Sequence, residues 1–206
     1  MTFRRLLFAI LDFLIPEHPR LTRLRGNIAR LTLGLHPAQG LQLERGVDFS
    51  LAPMLIVVGN NCEIQRGCVF HAHDKYVTLG DNVLLAQGVR IYSYAGASVT
   101  IGSHVQIGTS TIIFTGSHEV GDRMRRAGTS TSHSITIGDG TWIGLRCTIH
   151  RNIGAGCIID SSSTVFKDVL DDTHCGGNPA RQISKLSVPE PLSESVSAPI
   201  PERSIS

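Results

Sequence analysis

A three-sided all-β solenoid is the fold that this 206-residue sequence predicts, and three observations carry the prediction. Aliphatic or aromatic residues recur every six positions in triplets: Val58, Ile64, Phe70; Leu79, Leu85, Ile91; Ile101, Ile107, Ile113; Ile137, Ile143, Ile149; and Ile153, Ile159, Val165. The residue after the first member of a triplet is always glycine (Gly59, Gly80, Gly102, Gly138, Gly154), and the residue after the third is bulky or aromatic (His71, Tyr92, Phe114, His150, Phe166). Every break in the beat follows a third member. The three positions are therefore distinct places, each visited once per turn. That is how a coil behaves when each triplet forms one rung and rungs stack about 4.8 Å apart.

The elements follow in chain order. Residues 1–40 read as an amphipathic helical segment. Its opening run "RRLLFAILDFLI" is broken by Asp12, lacks a small-residue cleavage site in the "PEHPRLTRL" that follows, and is about half of the ~20 residues a membrane span needs. A second stretch places Leu21, Leu24, Ile28 and Leu31 at helical spacing among Arg20, Arg23, Arg25 and Arg30. The simpler reading of residues 1–35 is a cap on the solenoid or a contact with a sister subunit. The basic bias also fits peripheral contact with an anionic membrane. Leu43 and Phe49 open the beat, and the solenoid domain is expected over 41–186. The longest break, from Ile113 to Ile137, predicts a protruding polar loop over 114–134. Residues 187–206, rich in Ser, Pro and Glu, read as a disordered tail.

Composition narrows the function. A formal charge of +2 is too small to argue for nucleic acid, and no phosphate-binding glycine loop follows a strand. The five cysteines include no close CxxC pair, so they signal neither a disulfide framework nor a zinc site. A reducing, cytoplasmic compartment is the simpler reading. Cys62, Cys68, Cys147 and Cys157 each follow a core position by four residues. That place is filled elsewhere by Val83, Val89, Val105, Thr111, Thr141 and Ser163, so these thiols read as inert core filler.

The stretches "ITIGDGTWIG" (135–144), "VFKD" (165–168) and "GGNPARQI" (176–183), with the histidine loop before them, together resemble the hexapeptide-repeat acyltransferases. They are similar to the maltose and galactoside acetyltransferases, and more so to O-acetyltransferases that modify surface polysaccharides. The resemblance covers about residues 43 to 183. It implies a left-handed parallel β-helix, a homotrimer with active sites between subunits, acetyl-CoA as donor, a sugar or glycan hydroxyl as acceptor, and no metal. His118, five residues past the last core position before the loop, stands at the family's catalytic histidine and would be the general base. Glu119 and Asp122 are candidates to orient its ring or hold the acceptor. His133 reads as equally exposed; it, His71 and His73 are expected to be structural or to face substrate.

By the same resemblance Trp142, Gly144, Leu145 and Ser161 line the cofactor groove, and Lys167 and Arg181 meet the nucleotide end. The plainer reading of the two cations is ordinary surface charge. Two features depart from the family. Ser161, Ser162 and Ser163 replace a Gly-Ala-Gly turn, and the connection "HRN" (150–152) is two residues short. The sequence does not name the acceptor or limit the acyl group to acetyl. Two other readings stand beside this one: an inactive β-helix scaffold, and a γ-type carbonic anhydrase, for which His71, His73 and His118 are poorly spaced zinc ligands.

Overall fold

The computed structural model describes residues 10, 13–15, 18, 21–33, 39–49, 55–94 and 96–187. The tail expected over 187–206 lies outside the described residues apart from Ser187, as does most of the first apolar run. What remains is a parallel solenoid with three faces. The first face stacks Ile56–Val58, Val77–Leu79, Val99–Ile101 and Ile135–Ile137. The second carries eight strands, from Gln42–Leu43 to Arg181–Lys185, and the third carries five, from Val69–Ala72 to Thr164–Val165.

The six-residue beat is the register of these sheets. Val58 pairs with Leu79, Leu79 with Ile101, Ile101 with Ile137, and Ile137 with Ile153. The second column runs Leu43, Ile64, Leu85, Ile107, Ile143, Ile159. The third runs Phe70, Ile91, Ile113, Ile149, Val165. All of them are buried in one continuous core. The beat also runs one turn further than the sequence reading took it, because Val169 pairs with Ile153 and Cys175 with Ile159.

Two of the three corners turn on one residue with positive φ, three positions past a core residue. At the first corner these are Asn61, Asn82, His104, Gly140, Gly156 and Asp172; at the second they include Gly67, Gly88, Ser110, Arg146 and Ser162. The serine run thus has a structural role. Ser162 takes the left-handed turn, and Ser163 points inward with its Oγ accepting from the Gly177 N–H (3.0 Å). The recurring glycine after the first column has a different cause. A Cβ at Gly59 would lie 2.3 Å from the Gly80 carbonyl oxygen, and one at Gly80 would lie 2.7 Å from the Gly102 carbonyl carbon. Each rung rests on bare backbone there.

The inward place four past a core residue is buried throughout, and its polar occupants are satisfied. Cys62 and Cys68 thiols donate to the Gly80 and Ala86 carbonyls (both 3.2 Å), and Thr111 Oγ1 donates to the Gly144 carbonyl (2.9 Å). Every occupant is small or β-branched enough to fit, and the polar ones bond a carbonyl of the rung above.

The helix Thr22–Leu33 packs on the first turn of the solenoid through Arg25, Gly26, Ala29 and Leu33. A Cβ on Gly26 would lie 2.3 Å from the Leu41 carbonyl oxygen. The stripe read from the sequence is split: Leu24 and Leu31 point outward, while Ile28 is partly buried against the core. Among the described residues, no helix is long and apolar enough to cross a membrane.

Candidate active site

The third corner, where insertions leave the prism, carries the candidate histidine and the two candidate cations. The expected loop is a β-hairpin: Gly116–Val120 pairs antiparallel with Ala127–Ser132, with a register shift between His118 and Val120. Its base is tied to the neighbouring rung and closed on itself. The Thr115 N–H donates to the Tyr92 carbonyl (3.1 Å), and the His133 N–H donates to the Thr115 carbonyl (3.1 Å). Asp122 closes the tip, its Oδ1 accepting from the Met124 N–H (2.7 Å) and the Arg125 N–H (3.1 Å). That geometry makes Asp122 a turn residue, and among the described residues no hydrogen bond or ion pair joins Asp122 or Glu119 to His118.

His118 stands exposed on the first hairpin strand, with Nδ1 3.3 Å from the Gly128 carbonyl oxygen. A carbonyl oxygen only accepts, so in the neutral ring Nδ1 carries the proton and Nε2 keeps its lone pair. The residue lines a cavity of about 210 Å³ with Tyr94, Phe114, Ser117, Ser130 and Ser132. Tyr94 and Phe114 meet there with ring centroids 5.1 Å apart. An aromatic floor with hydroxyl groups around it and a histidine at its edge suits a sugar ring.

The bulky column becomes a ladder of rings climbing the same corner. His71 to Tyr92, Tyr92 to Phe114, Phe114 to His150 and His150 to Phe166 are separated by 5.8, 6.1, 5.9 and 4.9 Å, the last pair stacked flat. Beside it His133 is half-buried, not as exposed as His118. Its Nε2 contacts the His150 carbonyl, and Arg151 Nη1 donates to that same oxygen (2.8 Å) while lying against the His133 ring. Burial, then the Arg151 charge, then His133, push the His150 pKa below the ordinary histidine value. The short "HRN" turn supplies this cluster.

Lys167 follows Phe166 at the top of the ladder and shares a groove of about 290 Å³ with Arg181, Thr173, Ala180 and Gln182. The two cations for which the resemblance implies the nucleotide end thus line one groove. Trp142 and Leu145 are exposed on and just past the second face, and Gly144 between them is buried. Ser161 lies one rung further on, where its Oγ accepts from the Leu145 N–H (3.2 Å). A Cβ on Gly144 would stand 2.5 Å from the Ser161 nitrogen, so this glycine is a packing requirement. Trp142, Gly144, Leu145 and Ser161 form one patch, outside both the His118 cavity and the Lys167 groove.

Sequence reasoning missed Tyr94. The signal was present: Tyr94 precedes Gly116 by 22 residues, the same step that relates Tyr92 to Phe114 in the ladder. Among the described residues no group of three or more His, Cys, Asp or Glu side chains is placed to hold a metal ion. His71, His73 and His118 are not gathered as a zinc enzyme would need.

Comparison with known proteins places this arrangement. A candidate acetyltransferase of Saccharomyces cerevisiae is 32% identical over 113 residues, 54% of this chain and 57% of that protein. The candidate colanic acid biosynthesis acetyltransferase WcaF of Escherichia coli is 31% identical over 125 residues, 60% of this chain and 65% of its own. The galactoside O-acetyltransferase of Escherichia coli is 28% identical over 136 residues, 65% of this chain and 66% of that one. The chain therefore spans less than two thirds of the length of each. No protein-family model matches. Among solved structures, a mutant of AntD, an N-acyltransferase of Bacillus cereus in complex with dTDP and coenzyme A, superposes with a TM-score of 0.64 at 18% identity, covering 79% of this chain and 89% of its own. A hexapeptide-repeat-containing acetyltransferase of Vibrio cholerae complexed with acetyl coenzyme A gives 0.53 at 23% identity, covering 90% and 86%.

The fold is that of the hexapeptide-repeat acyltransferases, a left-handed parallel β-helix. Relatives by sequence and neighbours by fold agree with the resemblance that the motifs carry.

Proposed function

We propose that this protein transfers an acetyl group from acetyl-CoA to a sugar hydroxyl of a surface polysaccharide or its precursor, with His118 as general base. The observation that carries this reading is His118, which lines a cavity floored by Tyr94 and Phe114 while its Nδ1 faces the Gly128 carbonyl, so that Nε2 keeps its lone pair. A thioester is already activated, so the protein need only remove the hydroxyl proton as its oxygen attacks the acyl carbon. Nε2 takes that proton, and the CoA thiolate leaves and is reprotonated. The oxygen bearing the developing charge needs a backbone N–H or similar donor close by.

Lys167 and Arg181 fit the phosphates of the donor, since both line one groove and charge-assisted bonds to phosphate are strong. Trp142, Leu145 and Ser161 would follow its pantetheine arm. In the assembled form, a homotrimer of cytoplasmic protomers, a neighbouring protomer would complete the cleft between the His118 cavity and this patch.

Calorimetric titration of acetyl-CoA into the wild type and Lys167→Ala tests the donor side. Saturable binding, weakened about tenfold or more in the variant by loss of a phosphate contact, is expected. Absence of binding to the wild type would overturn the proposal.

A further inference from the structure

We infer that the outer face of the helix Thr22–Leu33 docks this protein on an anionic membrane surface. The helix has two apolar faces. Ala29 and Leu33, with Gly26 against the Leu41 carbonyl, close the solenoid core from within. Leu24 and Leu31, seven apart and so on one side of the helix, face away from that core, while Ile28 between them is partly buried against it. Leu24 is 47% exposed and Leu31 75%. A helix serving only as a cap needs one apolar face, and the outward leucines are surplus to that task.

The stretch before it repeats the feature. Phe13 is 71% exposed and Leu14 66%, and Ile10 is also exposed. This stretch is tied to the rest of the molecule: Arg25 Nη2 donates to the Ile15 carbonyl (2.7 Å), and Arg45 donates to the Phe13 carbonyl (3.3 Å) while lying over the Phe13 ring at 5.2 Å. Five of the fourteen exposed large hydrophobic side chains among the described residues fall before position 34, a stretch of only eighteen described residues.

Charge selects the partner. The helix contains no acidic residue, and Arg23 and Arg30, seven apart, lie along one edge of the outward leucines. Residues 1–33 hold six arginines against Asp12 and Glu17, whereas the remaining chain holds thirteen basic residues against fifteen acidic ones. The positive excess of the whole protein is therefore confined to the segment that exposes the leucines. An apolar stripe bordered by arginines suits the boundary between anionic headgroups and acyl chains. A contact with a second copy would instead bring these like charges together.

Flotation of the full chain with vesicles of phosphatidylglycerol and phosphatidylcholine, and with phosphatidylcholine alone, is the test. The wild type should float with the anionic vesicles, release as salt is raised, and ignore the neutral ones. Leu24→Ser/Leu31→Ser should lower the bound fraction about tenfold or more with an unchanged melting temperature, and Arg23→Glu should weaken it less. The inference is overturned if the wild type stays in solution with anionic vesicles or if the double variant floats as the wild type does. It is also overturned if light scattering shows that the double variant loses an oligomer the wild type forms, because the stripe would then be a contact between copies.

Discussion

Gly116 lies directly over the ring of Tyr94: a Cβ built there would stand 3.0 Å from the ring Cδ2 and 3.1 Å from Phe114 Cε1. The absence of a side chain at this hairpin position keeps the aromatic floor beside His118 open. Tyr94→Ala should raise the KM for the acceptor about tenfold, the equivalent of one ring-stacking contact of about 1.4 kcal/mol. Gly116→Val should do the same by covering the floor. Neither change should alter acetyl-CoA affinity, measured by calorimetry.

Two glycines separate two reasons for the residue. Gly140 has φ +67° and open space around it, so Gly140→Ala should cost about 1 kcal/mol through backbone strain alone. At Gly59 a methyl group meets backbone 2.3 Å away, which cannot rotate aside. Gly59→Ala should cost about 3 kcal/mol by forcing two rungs apart. Urea denaturation of both variants checks the difference.

All five cysteines are buried, and desolvation raises every one of their thiol pKa values, that of Cys68 to about 11. A thiol reagent should find none of them at pH 8 in the native protein and all five after denaturation. The linkage has a definite sign. Between pH 9 and 11 the unfolded thiols lose protons that the folded ones retain, so the folded state should lose stability as pH rises through that window. Melting temperatures at pH 8 and 10 report it.

His150 acts at the acid end. Its lowered pKa, caused first by burial and then by Arg151 and His133, means that the unfolded chain binds a proton more readily. Stability should fall as pH drops below the ordinary histidine value near 6.5. His150→Phe keeps a ring against Phe166 and removes the proton site, so its melting temperature should fall less between pH 7.5 and 5.5 than that of the wild type.

The sequence carried most of the fold because a solenoid repeats its environment. Each triplet position faces the same neighbours one rung away, so Ile101, Ile107 and Ile113 announce three faces without any long-range information. The site was legible only where it touched that beat. Phe114 and Lys167 follow third-column residues and could be placed by counting, and His118 lay at the mouth of the long break. The hairpin itself was not legible, because "SHEVGDRMRRAGTSTS" lacks a strand-like apolar alternation and is paired across its own backbone. The outward turn of Leu24 and Leu31 was hidden for a similar reason. Helical spacing gives a stripe but not the side on which the core lies, and here small residues, Gly26 and Ala29, permit the closer approach.

The proposed function rests on removal of the acceptor proton by His118. Release of CoA thiol from acetyl-CoA, followed with a panel of mono- and oligosaccharides for the wild type and His118→Ala, tests it most directly. Turnover with a sugar acceptor is expected of the wild type, and a kcat about 10²- to 10⁴-fold lower of the variant, with acetyl-CoA affinity unchanged. Equal turnover by the variant would contradict it.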